Sequence, residues 1–153
     1  MTQDSLDLIV RVDRPIKPSY PNWFRGLDQP KLECCGPSEY SLQDGLEEWS
    51  HHLDPKHGLV RNEFVYEFLK EHDNLALFLG LQDGLAIEAK DIAVFRKISG
   101  GRVIPLWRSV ARNQRGDRRV PCLCELGNRV IKEWYWLRDH SLSESLILKF
   151  RST

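Results

Sequence analysis

From Arg119 to Leu137 the sequence runs RVPCLCELGNRVIKEWYWL, two β-forming runs on either side of Gly127-Asn128. A Gly-Asn pair between such runs suits a two-residue hairpin, whose turn needs residues that tolerate positive φ. If the turn is centred there, Leu126 faces Arg129 and the whole register follows. Side chains alternate along a strand. Val120, Cys122, Cys124, Ile131, Tyr135 and Leu137 therefore share one face, and Leu123, Val130, Trp134 and Trp136 the other.

Working outward, Val103 to Arg112 and Leu146 to Phe150 also read as strands, with Gln114 to Arg118 as a loop. Leu6 to Val12 alternates weakly and reads as an N-terminal strand that joins the same sheet. Between these lie helical patterns. Ser41 with Asp44 resembles the start of a capping box, and Leu42, Leu46, Trp49 and Leu53 recur at helical spacing, so a helix is predicted from Ser41 to Leu53. A second starts at Asn62 with Phe64, Val65, Phe68 and Leu69. A third spans Leu75 to Lys90, weakened by Gly80 and Gly84. A fourth carries Ile92, Phe95 and Ile98 and stops at Gly100-Gly101. Residues 13–37 hold Pro15, Pro18, Pro21, Pro30 and Pro37, which exclude helix; Tyr20, Trp23 and Phe24 pin that segment to the body.

Segregated helices and hairpin-linked strands give an α+β class. The expected architecture is an antiparallel sheet of four to five strands, mostly C-terminal, covered by three to four helices on the face bearing Cys122 and Cys124. The chain of 153 residues suits a single domain over 1–153. Its 41% apolar and 10% aromatic content exclude a disordered chain.

No apolar run of about 18 residues occurs, so no membrane-spanning helix is expected. Cys34, Cys35, Cys122 and Cys124 suit reduced thiols and a cytoplasmic setting better than a disulfide framework. The net charge is zero, yet residues 1–94 hold 9 Lys+Arg against 17 Asp+Glu, and residues 95–153 hold 13 against 5. Pairing of these charges within one body is the favoured reading; an anionic partner is the other.

Four short stretches carry a resemblance. They are Pro18-Ser19-Tyr20-Pro21 followed by Trp23, Gly36-Pro37-Ser38-Glu39-Tyr40, Phe95-Arg96-Lys97 ahead of the glycines, and Trp134-Tyr135-Trp136-Leu137. Together they resemble a group of uncharacterised small proteins encoded in bacteriophage and prophage regions. The resemblance implies a bacterial or phage setting and an accessory role. It assigns no residue a function.

Three constellations bear on chemistry. His51-His52-Leu53-Asp54-Pro55-Lys56-His57 offers imidazoles and a carboxylate for a metal, but adjacent histidines on a helix diverge by about 100°, and a helix end explains them as well. The cysteine pairs lack the spacing of zinc knuckles. No phosphate loop, nucleophile elbow or zinc-protease motif is present. The third constellation is basic and aromatic: Arg108, Arg112, Arg115, Arg118 and Arg119, with Trp107, Trp134 and Trp136 on neighbouring strands. Arginine forks bind carboxylate or phosphate, and Trp and Arg dominate binding hot spots and single-strand nucleic-acid sites.

The sequence therefore reads as a non-enzymatic binding protein without cofactor, catalytic residue or metal. Arg108, Arg112, Arg115, Arg118, Arg119, Trp134 and Trp136 would meet a host protein or nucleoprotein complex, with nucleic acid a possible partner and membrane not. A phage-encoded inhibitor or regulator fits the resemblance. The alternatives are a small metal-assisted hydrolase built on His51, Asp54 and His57, and a self-associating assembly component using the Trp134/Trp136 stripe.

Overall fold

The computed structural model describes residues 6–49, 61–139 and 145–151. In chain order the elements are β1 (Ile9–Arg11), β2 (Gly26–Leu27), β3 (Glu39–Ser41), β4 (Leu46–Glu48), α1 (Asn62–His72), α2 (Leu81–Glu88), α3 (Ile92–Ser99), β5 (Ile104–Pro105), β6 (Ala111–Arg112), β7 (Arg118–Leu126), β8 (Arg129–Trp136) and β9 (Leu148–Phe150). The class is α+β, with a five-stranded antiparallel sheet and two smaller two-stranded sheets.

The β7–β8 hairpin organises the large sheet. Gly127 and Asn128 have φ of 58° and 62°, the geometry of a turn whose twist matches the flanking strands. The register runs from Leu126↔Arg129 to Arg119↔Trp136, as the turn dictates. The other edge of β7 is shared. β6 pairs with Arg118 and Arg119, and β5 pairs with Cys122 and Leu123. β2 adds to β6. Pro121 lies between the two short partners. It has no N–H to offer, so no strand continues past it; its carbonyl accepts from Leu106 N–H at 2.8 Å. The chain from Leu106 to Val110 detours through a 3-10 turn at Trp107–Ser109. The strand expected over Val103 to Arg112 is thus two short strands around a turn.

Helices cover both faces of the sheet, not the one expected. α1 packs Val65, Tyr66 and Leu69 onto Val120, Cys122 and Leu137. α2 and α3 pack Leu81, Ile87, Val94 and Phe95 with Leu123, Ile104 and Leu106, with Val130 and Trp134 partly buried against them. The strands are bounded by helices on two sides because their odd and even positions are both largely apolar.

Three other expectations change. The stripe Leu42, Leu46, Trp49 is not helical. Ser41 Oγ accepts from the N–H of Gln43 and of Asp44, each at 3.1 Å, and Gly45 N–H donates to Ser41 C=O at 2.8 Å, a single helical turn that does not propagate because strand β4 begins at Leu46. The result is a turn joining β3 to β4, with Leu42 and Leu46 buried. Leu53 lies outside the described residues. The N-terminal strand β1 pairs with β3 rather than joining the large sheet, and β9 pairs with β4. The pattern from Leu75 to Lys90 is interrupted: a 3-10 turn at Leu75–Leu77 precedes α2, and Asp83 carboxylate accepts from Gly80 N–H at 2.9 Å, capping the new helix. α1 and α3 occupy their expected places, and α3 ends on Gly100 in the left-handed region at φ 60°.

Candidate interaction surface: a tryptophan–arginine ladder

The two charge-biased parts of the chain pair with each other. Arg102 meets Glu48 at 3.0 Å, Arg108 meets Asp83 at 3.0 Å, and Lys149 meets Asp73 at 3.5 Å. These contacts sort the five arginines expected on one surface into three groups.

Arg108 is not at the surface. The 3-10 turn drives it inward until its side chain is fully buried. Asp83, also fully buried, receives Arg108 Nη2 at 3.0 Å, Arg14 Nη2 at 2.7 Å and Tyr40 Oη at 2.7 Å. Arg108 Nη1 donates to Phe78 C=O at 3.2 Å. Gly36 and Gly80 wall the guanidiniums so closely that a Cβ on Gly80 would sit 2.6 Å from Arg108 Nη2, and one on Gly36 2.6 Å from Arg14 Nη2. Burial lowers the Arg108 pKa even with the Asp83 carboxylate opposing it. Burial, reinforced by Asp83, pushes the Tyr40 phenol far above its usual range. Arg108 is therefore a core residue, and Trp107, 2% exposed and stacked on Tyr66, is another. Spacing of arginines in sequence carries no sign of which one turns inward.

Arg112 and Arg118 converge on Asp28, whose carboxylate is nearly buried. Arg112 Nε donates to it at 2.8 Å and Tyr66 Oη at 2.7 Å; Arg118 Nη1 lies 3.9 Å away and Lys70 Nζ 3.7 Å. Burial alone would raise the Asp28 pKa, but the hydrogen bonds from Tyr66 and Arg112 and the charges of Arg112 and Lys70 bring it below the ordinary carboxylate range.

Arg115 and Arg119 have no acidic partner among the described residues. Arg119 faces Trp136 across the hairpin, and its guanidinium carbon lies 3.8 Å from the Trp136 ring centroid and 4.5 Å from that of Trp23. Arg138, not singled out from the sequence, covers the Trp136 ring at 4.5 Å. Trp23 meets Trp134 edge-on at 5.1 Å. The order Trp23–Arg119–Trp136–Arg138 is a ladder of indoles and guanidiniums, each contact worth about 0.5–1 kcal/mol at an exposed site. Arg119 Nε is buried without a hydrogen bond among the described residues. An open groove of about 600 Å³ adjoins the ladder, lined by Trp23, Arg25, Asn113, Gln114 and Arg115. Trp134 and Trp136 are half-buried, and Arg25, Arg115 and Arg138 are exposed.

Trp23 was expected to pin its segment to the body, and it does so against Trp134, but neither it nor Arg138 was expected in the interaction surface, for different reasons. Trp23 reaches the sheet from the proline-rich segment, and nothing local aims it at Arg119. Arg138 has the parity of Trp134 and Trp136 and was findable by extending the alternation past Leu137.

No group of three or more His, Cys, Asp or Glu is arranged for a metal among the described residues. The His51–His57 segment lies outside them. All four cysteines are free, and no helix of the described residues is long and apolar enough to cross a membrane. No protein-family model, curated protein or solved structure matches the chain.

Proposed function

We propose that the protein is a non-enzymatic binding protein that engages an acidic surface of a partner protein through Arg25, Arg115, Arg119 and Arg138, with Trp23 and Trp136 supplying contact area. The observation that carries this reading is the ladder: guanidiniums held over indoles at 3.8–4.5 Å from the ring centroids, with no carboxylate among the described residues pairing with them. The guanidiniums of Arg115 and Arg138 are exposed, so their donors are open to a carboxylate. Preorganised side chains also lose less entropy on binding.

A protein partner is favoured over nucleic acid on charge. The sequence pI is about 7.0, whereas domains that track phosphate backbones are usually strongly basic. Arg119 and Arg138 already lie over the Trp136 ring, so a base would have to displace a guanidinium to stack there, whereas a protein partner can use the part of the indole that stays exposed. The resemblance to phage-encoded proteins makes an inhibitor or regulator of a host complex, acting in the cytoplasm, the fitting role.

The test is intrinsic tryptophan fluorescence on titration with polyglutamate and, separately, with a single-stranded oligothymidylate. The expected result is a salt-sensitive response to polyglutamate that disappears in the double variant Arg115→Glu/Arg138→Glu while its melting temperature is unchanged. Tighter binding of the oligonucleotide would move the reading to nucleic acid. An undiminished polyglutamate response in the double variant would remove the ladder from it.

A further inference from the structure

The backbone of β8 carries a second, independent feature. In an antiparallel pair, alternate residues direct N–H and C=O toward the partner strand. Leu137 N–H donates to Arg118 C=O at 3.0 Å, which with the register makes Ile131, Glu133 and Tyr135 the residues bonded to β7. Val130, Lys132, Trp134 and Trp136 point their backbone groups the other way. No strand lies there among the described residues. The Trp136 carbonyl is taken, by Asn62 Nδ2 at 3.1 Å and Asp139 N–H at 3.2 Å. Val130, Lys132 and Trp134 have no backbone partner among the described residues on that side.

We infer that this edge of β8 accepts an extended segment of a partner protein, added antiparallel as a sixth strand, whose side chains alternate acidic and apolar. Exposed sheet edges are templates for such addition, with backbone bonds giving affinity and alternate side chains specificity. Side chains directly opposite each other share a face. An acidic residue opposite Lys132 meets its ammonium group, the one cation on the free run Val130–Trp134. The other face carries Ile131 and Tyr135 with the exposed Glu133 between them, which admits apolar residues at the intervening positions and repels acidic ones.

A second copy of the chain is disfavoured. Self-pairing that uses the whole free run centres on Lys132 and sets two ammonium groups opposite each other, which is destabilising. An edge lysine thus excludes its own kind while admitting a strand of opposite charge.

This inference rests on the reading that the protein binds an acidic partner, but it has its own test. The probe is a capped peptide alternating glutamate and valine, matched to β8 in length, measured by fluorescence anisotropy. The variant is Lys132→Pro. The N–H of Lys132 takes no part in the β7 ladder, so proline there removes an outward donor and obstructs the edge while the hairpin persists. The expected result is binding weakened about tenfold or more, the equivalent of one hydrogen bond and its neighbours, at unchanged melting temperature. N-methylation of the peptide on its glutamates, whose amides face β8, abolishes binding; N-methylation on its valines does not.

Several results would overturn the inference: no binding of the unmodified peptide, binding indifferent to Lys132→Pro or to the N-methyl pattern, or a dimer of the free protein paired through β8. Loss of peptide binding in Arg115→Glu/Arg138→Glu with none in Lys132→Pro would leave the ladder standing and remove the edge. The reverse pattern would do the opposite.

Discussion

Replacing Asp83 by asparagine would separate two ion pairs of equal length that differ in burial. Arg14–Asp83 and Arg96–Glu125 are both 2.7 Å long. The first has side chains 8% and 0% exposed, the second 48% and 28%. Asp83 also accepts from Arg108, Tyr40 and Gly80. Asp83→Asn preserves the shape but leaves two buried guanidiniums with no counter-charge. Removing one partner of a buried pair typically destabilises by about 3–5 kcal/mol, because the surviving charge is stranded. For a chain of this size each kcal/mol shifts the melting temperature by about 2–4 °C. A fall of roughly 10 °C is therefore expected, a large share of an ordinary stability of about 5–15 kcal/mol. Arg96→Ala, the exposed control, is expected to leave the melting temperature close to that of the parent, because solvent screens the pair. Thermal unfolding followed by near-ultraviolet circular dichroism reads both. If Asp83→Asn melts within a degree or two of Arg96→Ala, the buried cations are compensated from elsewhere and the account of the core fails.

Asp28 supplies a pH dependence. Its lowered pKa means that the stability it contributes is complete above the ordinary carboxylate range and is lost as pH falls through the depressed value. Asp28→Asn should lower the melting temperature at neutral pH and flatten its decline between roughly pH 5 and pH 2, which a pH series of melts would show. Gly84→Ala places a methyl against the Cδ1 of Leu106, which is fully buried. Overpacking of this kind costs about 1–3 kcal/mol, measurable as a lower urea midpoint; a rise would mean the helix gain outweighs the clash.

What was legible in the sequence was what is settled locally. The Gly127-Asn128 turn fixes its own dihedrals, so the register of β7 and β8 and the parity of their side chains followed without tertiary information. α1 and α3 were legible through their apolar spacing and, for α3, the glycine that ends it. Ser41 misled because its hydroxyl makes the same bonds in a turn as at a helix start. The choice fell to strand partners far along the chain, Phe150 and Leu148 opposite Leu46 and Glu48. Pro121 was visible, but its effect, splitting the neighbouring strand and turning Arg108 inward, depends on which edge of β7 faces β5 and β6. The site was legible to the same degree. Arg119 and Trp136 met because the hairpin makes them meet, whereas Arg112 and Arg118 were claimed by Asp28, a residue of the distant N-terminal segment.

The late position of the hairpin has a consequence for how the chain is made. At about 5–20 residues per second, roughly 3–10 s pass between synthesis of Asp83 and synthesis of Trp136. As each is made, α1, α2 and α3 lack the strands they rest on, and the apolar sides of Leu69, Leu81 and Phe95 have no sheet to cover them. The nascent polypeptide must wait, with apolar helix faces exposed, for the β7–β8 hairpin to arrive. Translation pauses placed after residue 99 would lengthen that exposure, and a holdase acting there would shorten its danger.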